Sequence, residues 1–121
     1  MALRVLIVDD SRDDADLTEF ALRDAGLAVD CRRLCREDAL ASALDGFEPQ
    51  LVLCDLNLPG WSGAEAMAAV RSRVPWASFV FVTGAPPRDG ELDDADVVVL
   101  KDDLARLVDL ARGLGHDRVA G

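Results

Sequence analysis

Asp9 and Asp10, Asp55, Thr83 and Lys101 each stand directly after a largely apolar run: Leu3–Val8, Leu51–Cys54, Ala77–Val82 and Val97–Leu100. Carboxylates brought together in this way repel one another unless a cation compensates them. Mg²⁺ suits such a set, because it takes a few carboxylate oxygens and keeps waters for an incoming phosphoryl group. A lysine ammonium binds phosphate as a point charge. Thr83 adds a hydroxyl, and Gly84 an unobstructed backbone N–H. Metal, cation, donor and an oxygen nucleophile are the parts of a phosphoryl-transfer site. Each residue also has a plain structural role open to it. Asp55 would end a strand, Asp9 and Asp10 would favour a helix N-terminus, Thr83 would close a strand and Lys101 would be solvated. Their joint occurrence at four strand ends favours the chemistry. Lys101 is also the only lysine among thirteen basic residues.

The elements that must position these residues alternate along the chain. Ser11 with Asp14 fits a capping box, so a helix is expected from about Arg12, with Leu17, Phe20, Ala21 and Ala25 inward and Gly26 as its stop. Leu27–Leu34 alternates as an edge or half-exposed strand would. A second helix is expected over Glu37–Leu44, with Leu40, Ala43 and Leu44 inward, Cys35 at the N-cap position and Gly46 as its end. After the buried strand ending at Asp55 come the turn Pro59-Gly60 and a third helix over about Ser62–Arg73, striped by Ala66, Met67, Ala69 and Val70. A last helix runs from Asp102 or Asp103 to Arg112, with Leu104, Leu107, Val108 and Ala111 on one face and Gly113 as its stop. The domain is thus expected to span 1–113, with 114–121 as a frayed tail. Alternating strands and helices argue for an α/β fold with a parallel sheet covered on both faces. Right-handed crossovers then bring every strand's C-terminal end to one edge.

With 23 acidic against 13 basic residues, the formal net charge is −10. That sign disfavours direct contact with nucleic acid or an anionic membrane. No apolar stretch approaches a membrane span or a signal peptide, so the chain reads as cytoplasmic. The odd set Cys31, Cys35 and Cys54 fits a reducing compartment, as buried or half-buried thiols rather than a zinc site.

Val8-Asp9-Asp10, Leu53-Cys54-Asp55-Leu56-Asn57-Leu58-Pro59-Gly60, Phe81-Val82-Thr83-Gly84 and Val99-Leu100-Lys101 together resemble the response-regulator receiver domain of two-component signalling. The form resembled carries Lys-Asp-Asp-Leu where many receivers have Lys-Pro. The resemblance implies a flavodoxin-like, doubly wound five-stranded sheet of order 2-1-3-4-5. It also implies a signalling domain rather than an enzyme. Asp55 would be the phosphoacceptor, charged by a histidine kinase or phosphotransfer protein. Asp10, Asp55 and the Asn57 backbone carbonyl would ligate Mg²⁺, with Asp9 acting mainly through a metal-bound water. Thr83 would be the switch hydroxyl and Lys101 the partner of the phosphoryl group.

Two departures stand out. The segment from Gly84 to Leu100 is about one helical turn shorter than usual, is broken by Pro86, Pro87 and Gly90, and has no apolar stripe. The fourth helix of the family is therefore expected to be missing or very short. Val98 stands where an aromatic often accompanies the switch hydroxyl, and the chain has no tyrosine. Asp102 replaces proline, which leaves open whether the Lys101-Asp102 bond is cis. Output is expected through a partner, or through self-association, at the surface around Ala85–Leu100. Three functions fit: a working phosphoacceptor, an atypical receiver-like binding module with little switching, and an aspartate-based phosphohydrolase. The last needs a second carboxylate where this chain has Asn57, which cannot act as acid or base.

Overall fold

In the computed structural model, which describes residues 2–88 and 97–120, strand β1 (Leu3–Val8) is buried on both faces. Leu3, Val5 and Ile7 turn to one side of a sheet, while Leu6 and Val8 turn to the other, as the two-residue period of a strand requires. β1 pairs in parallel with β2 (Val29–Leu34) and with β3 (Leu51–Asp55), and β6 (Ser78–Thr83) and β7 (Val97–Leu100) continue the sheet beyond β3. The order β2-β1-β3-β6-β7 is 2-1-3-4-5 for the long strands alone, the flavodoxin-like α/β arrangement expected. Helices α1 (Arg12–Asp24) and α4 (Leu104–Ala120) cover the Leu3, Val5 and Ile7 face. The opposite face packs under α2 (Leu40–Phe47) and α3 (Gly63–Arg73).

Local sequence explains the ends of these elements, and in several places corrects the expectation. Ser11 caps α1 as expected, its Oγ accepting from the Asp14 N–H at 3.2 Å. The buried side of α1 is Ala15, Thr18 and Leu22, while Leu17 and Phe20 are 60% and 66% exposed. Ala15 and Thr18 are small enough to let the helix lie close to the sheet, and the Thr18 hydroxyl donates to the Asp14 carbonyl at 3.0 Å, so its burial leaves that hydroxyl paired. The second helix begins later than Glu37. Glu37–Ala39 form a 3₁₀ turn, capped at Arg36 rather than Cys35, and α2 then runs through Gly46 to Phe47. Glu48 ends it in the left-handed conformation at φ 51°. Gly113 likewise does not stop α4, because a glycine inside a helix costs only about 1 kcal/mol and packing on either side outweighs it. A short hairpin of β4 (Asn57–Leu58) and β5 (Trp61–Ser62) was not expected. Its turn is Pro59-Gly60, with Gly60 at φ 77°, the positive φ that a type II turn requires after proline. Ser62 then caps α3 by accepting from the Glu65 N–H at 3.1 Å.

Gly84–Arg88 form no helix. The rest of the segment expected to lack the fourth helix, 89–96, lies outside the described residues. No cis peptide bond occurs among those described, so Lys101-Asp102 is trans.

The three thiols are free, with Cys54 buried, Cys31 half-buried and Cys35 exposed, contrary to the expectation that all would be at least half covered. Burial pushes the Cys31 and Cys54 thiols up to about 12, which keeps the reactive thiolate scarce at neutral pH. Iodoacetamide is therefore expected to modify the folded protein at Cys35 alone, with Cys31 and Cys54 following only in denaturant. Intact-mass measurement checks this, and rapid alkylation of Cys54 in the folded protein would refute it.

Candidate functional site

Parallel register brings the four strand ends together. Val8 lies opposite Cys54, Asp55 opposite Val82 and Thr83 opposite Leu100. Asp9 and Lys101 are therefore each one residue beyond a ladder whose other members end in Asp55 and Thr83. The Lys101 N–H donates to the Thr83 carbonyl at 2.8 Å, which extends the pairing by one step and fixes where the lysine leaves the sheet. Asp9 is held from both sides. Its N–H donates to the Leu34 carbonyl at 3.0 Å, and its Oδ1 accepts from the Ser11 N–H at 2.9 Å.

Asp9, Asp10 and Asp55 each offer a carboxylate oxygen within 4.8 Å of the others. Among the described residues this is the group of acids, histidines or cysteines able to hold a metal ion, and no cysteine belongs to it. Lys101 Nζ lies 3.1 Å from Asp9 Oδ2, 3.2 Å from Asp55 Oδ2 and 2.7 Å from Asp14 Oδ2. The ammonium thus sits inside a ring of three carboxylates. Burial works against its charge, but the hydrogen bonds to Asp14, Asp9 and Asp55 outweigh that and hold it above its ordinary value. The hydrogen bond from Lys101 holds Asp14 below the usual carboxylate range. Asp9 goes the other way. Its burial raises it, despite the Ser11 amide and Lys101 beside it, and the neighbouring charge of Asp55 adds to the rise. Even with one ammonium present, the cluster is short of positive charge.

Thr83 is fully buried, and its hydroxyl donates to the Ala85 carbonyl at 3.0 Å. Asn57 opens β4, two residues beyond Asp55. Sequence reasoning missed Asp14 as a member of the site. It was legible there only as the third residue after the Ser11 cap, whereas its carboxylate crosses from the first turn of α1 to the end of β7. Hard oxygen donors with a shortage of positive charge fit Mg²⁺ better than a softer ion. A nucleophilic carboxylate with a lysine beside it and a hydroxyl one strand away can receive and hold a phosphoryl group.

Comparison with known proteins agrees with this geometry. Residues 5–105 match the family described as response regulator receiver domain. Among solved structures, the two component transcriptional regulator AraC from Clostridium phytofermentans ISDg is 26% identical with a TM-score of 0.76, the match covering 93% of this chain and 91% of that one. The CheY-like response regulator receiver domain from Methylobacillus flagellatus is 22% identical with a TM-score of 0.77, over 94% and 99% of the two chains. A response regulator from Thermotoga maritima is 18% identical with a TM-score of 0.74, over 94% and 98%. The last two share the fold. The matched residues include Asp9, Asp10, Asp55, Thr83 and Lys101, and the protein belongs to the response regulator receiver domains of two-component signalling.

Proposed function

We propose that Asp55 accepts a phosphoryl group from the phosphohistidine of a histidine kinase or phosphotransfer protein. A carboxylate oxygen of Asp55 attacks phosphorus, the P–N bond to imidazole breaks, and an aspartyl phosphate and a free histidine result. The observation that carries this reading is the contact between Lys101 Nζ and Asp55 Oδ2 at 3.2 Å, inside an acidic cluster at the C-terminal edge of the sheet. Asp9, Asp10 and Asp55, with the Asn57 backbone carbonyl, are the residues that would hold Mg²⁺, which when bound neutralises charge on the transferring group. Lys101 offsets the charge of the phosphoryl oxygens from the β7 side. The Thr83 hydroxyl would exchange its bond to the Ala85 carbonyl for one to a phosphoryl oxygen. Asn57 in place of a carboxylate leaves no general acid or base two residues from Asp55, which favours a stored acyl phosphate over turnover of substrates.

The signal would leave through the surface around Ala85–Leu100, to a protein partner or a second copy. On that surface β7 is an edge strand with Val97 and Val98 half-buried. The negative charge disfavours nucleic acid and membrane as direct partners. Among the described residues, no helix is long and apolar enough to cross a membrane.

The test is incubation with acetyl phosphate, with Mg²⁺ and with chelator. The expected result is a gain of one phosphoryl group that requires Mg²⁺, together with changed amide exchange at Thr83 and β7. A labelled protein whose exchange and association do not change would instead support the receiver-like binding module. No mass gain under any condition would overturn the phosphoacceptor.

A further inference from the structure

Asp14 is the one partner of Lys101 for which the phosphoacceptor chemistry has no use. It belongs to the first turn of α1, outside the three acids placed to hold a metal ion, yet its contact of 2.7 Å with Lys101 Nζ is the shortest of the three. An ammonium has three N–H donors and no more. Lys101 donates to Asp14 at 2.7 Å and to Asp55 at 3.2 Å and forms an ion pair with Asp9 at 3.1 Å, so three carboxylates already face its three donors. A phosphoryl group on Asp55 brings further anionic oxygens to the same ammonium, and one existing partner must give way. Exposure decides which. The Asp9 and Asp55 side chains are 7% and 11% exposed, whereas that of Asp14 is 41% exposed and can exchange the lysine for water. We propose that Asp14 is a positioning residue that competes with the phosphoryl group for Lys101, and so acts as a brake on formation of the phosphorylated state. This rests on Asp55 as phosphoacceptor. It also gives phosphorylation a route to α1 that needs neither a fourth helix nor an aromatic at Val98, because releasing Asp14 unties the first turn of α1 from the end of β7.

Asp14→Asn suits the test, because α1 is capped through the Asp14 backbone N–H and the Ser11 hydroxyl, which the substitution leaves in place. Beryllofluoride with Mg²⁺ serves as the phosphoryl mimic. Asp14→Asn is expected to bind it roughly two- to fivefold more tightly than wild type, the size of a partly exposed ion pair, and to be labelled faster by acetyl phosphate. Asp14→Glu restores the competition and brings affinity back toward wild type. Removing a negative charge would by itself favour an anion, so the substitution is repeated in a Lys101→Ala background, where competition for the ammonium predicts that the gain disappears. If that background binds too little mimic to titrate, the initial rate of labelling reads the same cycle. Unchanged or weaker binding by Asp14→Asn, or a gain that persists without Lys101, overturns the inference and leaves Asp55 as acceptor. A wild-type protein that neither binds the mimic nor takes label overturns both.

Discussion

Asp55→Asn is expected to take up no phosphoryl group from acetyl phosphate, while Lys101→Ala still takes one but roughly 10²-fold more slowly, the usual loss when a fixed charge facing the transition state is removed. The two substitutions act on different terms. An amide has no nucleophilic oxygen of carboxylate strength, so the first removes the reaction itself. The second leaves the nucleophile and withdraws the cation 3.2 Å from it. Neither is expected to unfold the protein. Asp55→Asn leaves Lys101 with Asp9 and Asp14 at 3.1 and 2.7 Å, and relieves repulsion in the acidic cluster. Lys101→Ala leaves that cluster without its ammonium, and added Mg²⁺ is expected to restore part of the stability lost. Intact mass against time and thermal unfolding with and without Mg²⁺ measure both effects. Equal labelling of Asp55→Asn and wild type would show that phosphorylation occurs elsewhere.

The largest effect on stability is expected at Phe81, directly beneath this site. Its ring is fully buried and meets Phe79 edge-on, with centroids 5.0 Å apart and planes at 74°. Truncation to alanine opens a cavity in the α2–α3 side of the core and is expected to cost about 3–5 kcal/mol. The same ring dictates a glycine at the start of α3. A Cβ on Gly63 would lie 2.6 Å from Phe81 Cε1, 3.3 Å from its Cδ1 and 3.5 Å from the Asp55 carbonyl oxygen. Gly63→Ala is therefore expected to cost about 1–3 kcal/mol, as overpacking does, and to press on the backbone that presents Asp55. Phe81→Leu makes room, so the Gly63→Ala/Phe81→Leu pair is expected to lose less than the sum of its parts. Urea unfolding of the four proteins decides this, and strict additivity would show that the ring and the glycine do not meet.

The strand ends were legible because a parallel sheet turns a one-dimensional pattern, an apolar run followed by one chemical residue, into proximity. Leu51–Cys54 before Asp55 and Val97–Leu100 before Lys101 say where the backbone goes, and the ladder does the rest. Helix faces were less legible. Leu17 and Phe20 have the spacing and bulk of a buried stripe, but α1 turns Ala15, Thr18 and Leu22 to the sheet. Thr18 qualifies only because its hydroxyl bonds back within the helix, which composition does not reveal. Glycine misled for a related reason. Gly46 and Gly113 read as stops, although flanking residues packed on the sheet carry both helices through them. The β4–β5 hairpin has two residues in each strand, too few to show any period. Asp14 was hidden because a single residue can serve two purposes, its backbone capping a helix while its carboxylate reaches Lys101, 87 positions along the chain.

That hairpin also equips the protein with an optical reporter. Trp61, on β5, is 8% exposed and its indole Nε1 is buried without a hydrogen-bond partner among the described residues, while Trp76 is 53% exposed. An indole in an apolar, unbonded setting emits to the blue of a hydrated one. The two tryptophans in this sequence are therefore expected to give separable bands, one from the hydrated Trp76 and one from Trp61 on the hairpin that follows β3. A shift of the buried band on adding Mg²⁺ and beryllofluoride is the expected sign that the hairpin after Asp55 responds to the site, and an unchanged band would show that it does not.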